Sequence, residues 1–296
     1  MISIAKELDA YDIAQEIRQE RQIHKGSFLL LEGERDIKRF SKFVNLEACS
    51  IQNCFGRPNL LGAIEILLDE GFPGILGLAD ADFDRLNSCM RGNEALIYSE
   101  THDFDLDIVN SDVLQRYLEE VGHPEKCAAH GGCVGIRALI HEGCKPLSVL
   151  RYVSHTQNLK YRLDHVRHRM VCVNGAVDVS QLVDHVSAGH LASQSHKEKI
   201  ARLVSQHVRL DYAFEQLTNG HDFAALLGLA LMEKLGDRKP PQAWSSEVER
   251  HLRLAFSAID FIKMPVFFAI IKWEEDNLPY IVLKSNLKAL APQTIN

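Results

Sequence analysis

Long apolar runs are absent from this sequence: no stretch approaches the roughly 20 consecutive apolar residues that a membrane-spanning helix needs. The first residues, MISIAKELDAYDIAQ, lack the positive segment and apolar core of a secretory signal. We therefore expect a chain that has no membrane partner and acts in the cytoplasm. The motifs of a P-loop ATPase, a serine hydrolase elbow and a zinc-protease helix are missing as well, so these classes have no support.

Cysteine is sparse, with seven residues scattered over a chain of 296. An odd number at wide spacing does not fit a disulfide framework and favours a reducing compartment. One local group has side chains of the types that bind zinc, namely Cys127, His130, Cys133, His141 and Cys144. The spacing lacks the paired C-x2-C pattern and the flanks favour a helix. Packing on a helix face is therefore the main interpretation, and a zinc site stays open.

An excess of basic residues is also lacking, and the formal net charge of −7 by itself argues against a nucleic-acid partner. The charge is unevenly placed, however. Residues 1–120 carry 23 acidic and 12 basic side chains, whereas the rest of the chain carries 17 and 21. Residues 145–170 hold six basic side chains against one acid, with histidine and tyrosine interleaved. Such a stretch can contact phosphates or form a solvated helix face, and charge alone leaves both open.

The first third of the chain alternates strand and helix patterns. The apolar runs at residues 28–31 and 75–79 are typical of strands buried on both faces, and residues 48–51 and 95–98 are further strand candidates. Asn59 is the predicted N-cap of an intervening helix. This order predicts an α/β fold with a mainly parallel sheet and flanking helices.

Helical patterns prevail after about residue 120. We predict helices at residues 111–121, 135–142, 195–207, 223–235 and 247–263. The sequence therefore predicts a first domain over residues 1–122 and a mostly helical C-terminal region over residues 123–296.

Acidic side chains follow three of the predicted strands. They are Glu32 after FLLL, then Asp80, Asp82 and Asp84 after ILGLA, then Asp103, Asp105 and Asp107 after ALIYS. Ligands of open α/β sheets bind beyond the carboxyl ends of the strands. An extended backbone would aim alternate acids of the second group to one side. Carboxylates that share a site repel each other unless a cation joins them, and Mg²⁺ prefers oxygen ligands. The alternative, which stays open, is that these acids form turns and helix caps.

Two of these segments resemble the motifs of Toprim domains. LLLEGERD (Leu29–Asp36) is similar to the first motif, and GLADADFD (Gly77–Asp84) is similar to the second, an Asp-x-Asp motif. The closer resemblance is to the OLD-related branch, in particular to standalone Toprim proteins such as the effector nuclease of PARIS-type anti-phage defence. Further segments similar to that branch are Lys25–Gly26, Gly56–Leu67, Asp105–Asp107 and NGHDF (Asn219–Phe223). Phe83 and Asp84 replace the glycine that topoisomerases have after the second motif, which argues against topoisomerase or primase activity.

The resemblance implies a Mg²⁺-dependent nuclease, with Mn²⁺ as an alternative ion, that hydrolyses phosphodiester bonds of DNA or RNA, including transfer RNA. It implies that Glu32 and Asp80 are catalytic and bind the metal together with Asp82, Asp84 and Asp107. His221 is a further predicted catalytic residue, although a buried pair with Asp222 is the alternative. The predicted substrate contacts are Arg57, Arg162 and Arg167, the last two from the basic stretch.

The same resemblance implies a defence effector that a partner ATPase, encoded nearby, restrains or activates, and a homodimer stays open. Two other hypotheses compete with the nuclease. One is a module that keeps the Toprim shape and binds a partner or a nucleic acid without cutting it. The other is a phosphatase or phosphotransferase acting on nucleotides, for which a basic surface would matter much less than for a polymer substrate.

Overall fold

The structure, a computed structural model, describes residues 8–159, 161, 163, 166, 168, 178–187, 193–236 and 244–290. The chain packs as two compact units. The first comprises Met1–Ala81, Met90–Glu100 and Ser257–Asn296, and the second comprises Asp82–Cys89 and Thr101–Phe256. The boundary predicted at residue 122 falls inside the second unit. None of the described helices has the length and apolar character that a membrane crossing requires.

The predicted α/β class, with a parallel sheet and a helical C-terminal region, is confirmed. The strands are β1 Ser27–Leu31, β2 Cys49–Asn53, β3 Ile75–Ala79 and β4 Leu96–Tyr98. The helices are α1 Ala10–Glu20, α2 Glu34–Phe40, α3 Arg57–Asp69, α4 Phe104–Val109, α5 Asp112–Val121, α6 Pro124–Ala129, α7 Gly132–Thr156, α8 Val179–Val186, α9 Gln194–Val208, α10 Phe214–Leu217, α11 Gly220–Ala230, α12 Trp244–Ala255, α13 Ala258–Phe261, α14 Pro265–Asp276 and α15 Ser285–Leu290. A π-helical turn, Leu231–Leu235, continues α11.

The four strands form one parallel sheet in the first unit, in the order β2-β1-β3-β4. β1 and β3 are its central strands, and each of their residues is buried. This burial on both faces explains why their sequences are continuously apolar. The chain passes from β1 to β2 on one side and later to β3 on the other. The strand order therefore reverses between β1 and β3, which is where open α/β sheets bind their ligands.

Helices α1 and α3 cover one face of this sheet. Phe28 and Leu30 of β1 share a buried cluster with Ile13 and Ile17 of α1 and with Leu60 of α3. Burying each of these large side chains contributes about 1.5–3 kcal/mol. The cluster thereby holds α3 so that its N-terminus, which follows β2, lies at the carboxyl end of the sheet.

The C-terminal segment, from Ser257 onward, completes the first unit. Phe261 of α13 stacks on Phe43, with ring centroids 4.2 Å apart. Further along the segment, the carbonyl of Val282 accepts a hydrogen bond from the Asn45 amide at 2.8 Å. Residues far apart in sequence therefore build one core. A single boundary along the chain, such as the one predicted at residue 122, does not describe this arrangement.

Helices α4 to α12 form the second unit, in which α7 packs against α9 and α11. The helix predicted at residues 135–142 is only the first part of α7, which runs for 25 residues and contains Pro146. A proline inside a helix removes one backbone hydrogen bond and usually marks an end. Here the buried side chains on both sides of Pro146, among them Cys144 and Leu147, keep the helix continuous.

Two other helix predictions were wrong in detail. The helix predicted to start at Asn59 begins at Arg57, with Gly56 as N-cap and Pro58 in the first turn. The Asn59 side chain does not cap the helix, and its Nδ2 donates to the Leu8 carbonyl at 3.0 Å. The helix predicted at residues 247–263 is divided into α12 and α13. Ser257 starts α13 by a capping box, and a new cap interrupts the helical hydrogen bonds of the preceding turn.

Candidate active site

Glu32 and Asp80 lie at the carboxyl ends of the adjacent central strands. Leu31 of β1 pairs with Leu78 of β3, so the residues that follow both strands emerge side by side. The backbone amide of Asp80 donates to Oε1 of Glu32 at 2.8 Å. The structure thus brings these two predicted site residues together at the reversal of strand order.

Backbone contacts fix the loops around this pair. The amide of Gly56, just before α3, donates to the Glu32 carbonyl at 2.8 Å. The amide of Ala81 donates to the hydroxyl of Ser99, which follows β4, at 2.9 Å. Hydrogen bonds therefore connect the residues that follow the four strands. Glu32 and Asp80 lie on backbone that these hydrogen bonds hold in place.

Arg57, the predicted phosphate contact, belongs to the same edge of the first unit. It is the first residue of α3, and its guanidinium carbon lies 5.8 Å from the ring centroid of Tyr98 at the end of β4. This cation–π contact holds a positive charge at the carboxyl end of the sheet. The structure therefore places one predicted substrate-binding arginine on the sheet edge that carries Glu32 and Asp80.

Asp82 and Asp84 belong to the second unit, and their backbone differs from the extended course expected. Asp82 has φ of 47°, and residues 82–88 form turns. The Cys89 amide donates to the Asp84 carbonyl at 2.9 Å, and its thiol donates to Oδ1 of Asp84 at 3.3 Å. The extended backbone that was expected here is therefore wrong, because aspartate tolerates the left-handed conformation and allows the chain to turn directly after the strand.

The third acidic group comprises Asp103, Asp105 and Asp107, and it includes a helix cap, the role that was the alternative to metal binding. Asp103 is the N-cap of α4, where Oδ1 accepts the Leu106 amide at 2.7 Å. Asp107 is 7% exposed, and its Oδ1 accepts the hydroxyl of Thr101 at 2.6 Å and the amide of the same residue at 2.8 Å. Asp105 lies 3.7 Å from the Arg253 guanidinium. These acids organise the start of α4, and the metal-binding role of Asp107 stays a prediction.

The NGHDF segment forms the first turn of α11. Asn219 caps this helix, with Oδ1 accepting the Asp222 amide at 2.7 Å. The Gly220 amide donates to Oδ2 of Asp103 at 2.7 Å. A Cβ at Gly220 would lie 2.6 Å from the Cβ of Asp105, so glycine is required by the close approach of α11 to α4. The motif therefore has a packing reason that is independent of catalysis.

Asp222 and His221 have separate partners, so the alternative pairing between them was wrong. Asp222 is fully buried and accepts hydrogen bonds from Arg151 at 2.6 and 2.9 Å and from His168 at 2.9 Å. Burial raises the pKa of Asp222, but the His168 hydrogen bond and the Arg151 charge outweigh it and lower that pKa overall. His221 is hydrogen-bonded through Nδ1 to Glu249. Its catalytic role stays a prediction.

The basic stretch at residues 145–170 is in part internal. Arg151, counted there as one of the surface charges, is the partner of Asp222 at a sequence separation of 71 residues. Lys145 lies 5.4 Å from the ring centroid of Phe214. Arg162 and Arg167, the predicted substrate contacts, lie outside the described residues. Sequence reasoning missed the pairing of Arg151, because nothing in a local window reveals which distant acid an arginine meets.

The cysteine and histidine group is dispersed. The thiol of Cys127 lies 4.0 Å from the Leu235 carbonyl, and Cys144 is fully buried in α7. His141 lies between two phenylalanine rings. Across the part of the chain that the structure describes, no three or more His, Cys, Asp or Glu side chains are grouped to hold a metal ion. The contacts of Cys127, Cys144 and His141 are therefore packing contacts within the second unit.

A polar cavity of about 420 Å³ lies within the second unit. Asp82 and His102 line it, and Nε2 of His102 is 3.9 Å from Oδ1 of Asp82. Burial lowers the pKa of His102, and the Asp82 carboxylate opposes this shift only in part. The imidazole is thus neutral near pH 7. No sequence pattern predicted this cavity, since its walls come from segments far apart in the chain.

Comparison of the chain with protein-family models, with curated protein sequences and with solved structures gives no match. The Toprim resemblance therefore depends on the short motifs alone, and its functional implications stay predictions.

Proposed function

We propose that this chain is a metal-dependent phosphodiesterase that cleaves nucleic acid, with Glu32 and Asp80 at the centre of its site. The observation that supports this most is their meeting at the reversal of strand order, where the Asp80 amide donates to Glu32 at 2.8 Å. Both acids follow fully buried strands, so their placement is precise. Rigid scaffold ends suit a reaction that depends on exact geometry.

A hard divalent cation, Mg²⁺ or Mn²⁺, prefers carboxylate oxygens, which Glu32 and Asp80 supply as a pair; no third acid is grouped with them in the described part of the chain. When bound, the ion supplies positive charge for a phosphodiester and lowers the pKa of an attacking water. Glu32 and Asp80 would hold it, and Asp82, two residues along the chain, is the next predicted ligand. Asp84 and Asp107 stay in the proposed set on the motif resemblance alone.

Arg57 would bind and orient a substrate phosphate. It starts α3 at the carboxyl end of the sheet, where the first backbone amides of that helix add positive partial charge. The contact with the Tyr98 ring limits the rotamers of the guanidinium. Arg57 can thus act as a positioning group on the same edge as the two acids.

The test is cleavage of labelled single- and double-stranded DNA and RNA with Mg²⁺, with Mn²⁺ and with EDTA. Glu32→Gln retains an acceptor for the Asp80 amide, and Asp80→Asn retains the shape of the side chain. We expect each to lower the cleavage rate by about 100-fold or more. Asp69→Asn is the matched control, since it removes an exposed carboxylate at the far end of α3.

Calorimetric titration with Mn²⁺ supplies a second readout. Wild type and Asp69→Asn should bind the ion, and Glu32→Gln should bind it at least about tenfold more weakly. Wild-type chain that binds nucleic acid without cutting any substrate, in the presence of the product of a neighbouring ATPase gene, would support the non-cleaving module instead. Cleavage that persists in both acid variants would refute the assigned site.

The biological setting is a further part of the proposal. On the motif resemblance, we propose a cytoplasmic effector of anti-phage defence that a partner ATPase controls. Where a gene beside this one encodes an ATPase, co-expression with that ATPase should change the toxicity of the wild-type chain to its host, and Glu32→Gln should abolish that toxicity.

A further inference from the structure

We propose that the polar cavity of the second unit binds one nucleotide of a nucleic-acid strand. Its volume is about 420 Å³, and its lining includes Asp82, Phe83, His102, Arg151, His155 and Asn219. The connection to cleavage rests on the proposed function, since Asp82 is a predicted metal ligand. The binding itself is independent of cleavage and can be measured without a metal ion.

Arg151 is the phosphate-binding group of this cavity. Asp222 holds Nε and Nη2 of its guanidinium by two hydrogen bonds, and Nη2 also donates to the Leu163 carbonyl at 2.8 Å. The remaining nitrogen, Nη1, makes no hydrogen bond with the described residues. An arginine oriented in this way loses little rotamer freedom when it binds a phosphate.

Asn219 adds a further hydrogen-bonding group. The cap contact with Asp222 uses Oδ1 of Asn219, and Nδ2 makes no hydrogen bond with the residues that the structure describes. This side-chain amide can therefore donate a hydrogen bond to a phosphate or base oxygen of a ligand.

Aromatic rings form one side of the cavity. The ring of Phe83 lies 4.7 Å from that of His102 and 5.3 Å from that of His155, measured between centroids. His155 is exposed at the end of α7. Bases stack on aromatic side chains whatever their sequence, so this wall suits a nucleobase.

Size and polarity together select the ligand class. Cavities of about 300–1,000 Å³ hold small organic molecules, so this one exceeds the needs of a lone phosphate ion. The hydrogen-bonding groups argue against an apolar ligand. A nucleotide satisfies both the arginine and the aromatic wall. On the proposed function, it is a nucleotide of single-stranded nucleic acid, whose bases are unstacked.

The experiment is calorimetric titration of the full chain, in EDTA, with adenosine and cytidine 5′-monophosphates. Inorganic phosphate and adenosine are separate arms. The monophosphates should bind at least about tenfold more tightly than either arm, because only they use both walls. Asn219→Asp retains the cap but replaces the Nδ2 donor with a carboxylate, so mononucleotide affinity should fall at least about tenfold.

The matched control is Ser193→Asp, which adds the same charge at the N-cap of α9, away from the cavity lining. Its affinity should stay within about twofold of wild type. His155→Ala, at an exposed site, should also weaken binding and serves if Asn219→Asp does not fold. Absence of mononucleotide binding, phosphate binding as tight as the nucleotide, or unchanged affinity in these variants would each overturn the proposal.

The two proposals fail in different ways. Glu32→Gln should lose cleavage and keep mononucleotide binding. Binding by a wild-type chain that cuts nothing would refute the nuclease and retain the cavity. If the wild-type chain cleaves nucleic acid but binds no mononucleotide, and Asn219→Asp does not change the cleavage rate, the nuclease proposal stands and the nucleotide-binding proposal is refuted.

Discussion

His141 gives a quantitative prediction about the stability of the second unit. It lies in α7, is 2% exposed, and its ring is 5.7 Å from that of Phe214 and 5.2 Å from that of Phe223. Neither ring nitrogen has a hydrogen-bond partner among the described residues. Burial lowers the pKa of His141 to about 4, with Glu215 opposing and Arg137 adding to the shift.

The sign of the pH dependence follows from this lowered pKa. Unfolded imidazole titrates near pH 6.5, so between pH 6.5 and 4 the unfolded chain binds a proton that the folded chain does not. Stability therefore falls as the pH falls through that window. From pH 7.5 to 5.0 this one residue removes about 2 kcal/mol of unfolding free energy.

The perturbation is His141→Leu, which fills a similar volume without polar atoms. It removes the cost of unsatisfied ring nitrogens, which is about 1–3 kcal/mol. We expect it to stabilise the second unit by about that amount at pH 7.5 and by about 2 kcal/mol more at pH 5.0. His251→Leu is the control, since it removes an exposed imidazole on α12.

The assay is urea unfolding at both pH values, followed by hydrogen exchange and mass spectrometry of peptides from α7. The Cε1 proton of His141, assigned from the variant, reports its titration directly by NMR. A His141 midpoint near pH 6.5, or a variant whose gain in stability is the same at both pH values, would refute the reasoning.

Two further predictions concern packing. Gly220→Ala should cost about 1–3 kcal/mol of stability by the clash with Asp103 and Asp105, whereas Gly92→Ala, where a Cβ meets nothing within 4 Å, should be close to neutral in thermal unfolding. The buried carboxylate of Glu274 accepts hydrogen bonds from the amides of Val282 and Leu283 at 2.7 Å. We expect Glu274→Ala to lower the free energy of unfolding by about 2–4 kcal/mol and to remove the hydrogen-exchange protection of both amides. Glu275→Ala, which removes the adjacent exposed carboxylate, is the control.

Local pattern was sufficient for the sheet. The runs FLLL and ILGLA predicted β1 and β3, because strands buried on both faces need apolar residues throughout. The same reasoning placed Glu32 and Asp80 at the strand ends, and the structure brings these two together. The local pattern could not show that the backbone of Asp82 adopts the left-handed conformation, since Cys89, further along the chain, closes this turn.

The motif at residues 219–223 was noticed in the sequence without its physical cause. Gly220 is required by contact with α4, and Asp222 is held by Arg151 of α7. Both partners are far away in sequence, so no local window contains the information. The same is true of the polar cavity, whose walls are brought together only by the fold.

By itself the sequence determined the strands, the parallel direction of β1, β2 and β3, which alternate with helices, and the acids at the strand ends, because these depend on hydrophobic periodicity and on neighbours in the chain. Only the tertiary structure decided that the segment from Ser257 returns to the first unit, that Asp222 pairs with Arg151, and that His141 is buried without a polar partner in the described residues. These features depend on contacts between segments that are distant in the chain. Burial removes their side chains from water, and the partner that packing then provides for each polar group decides whether the contact is stabilising.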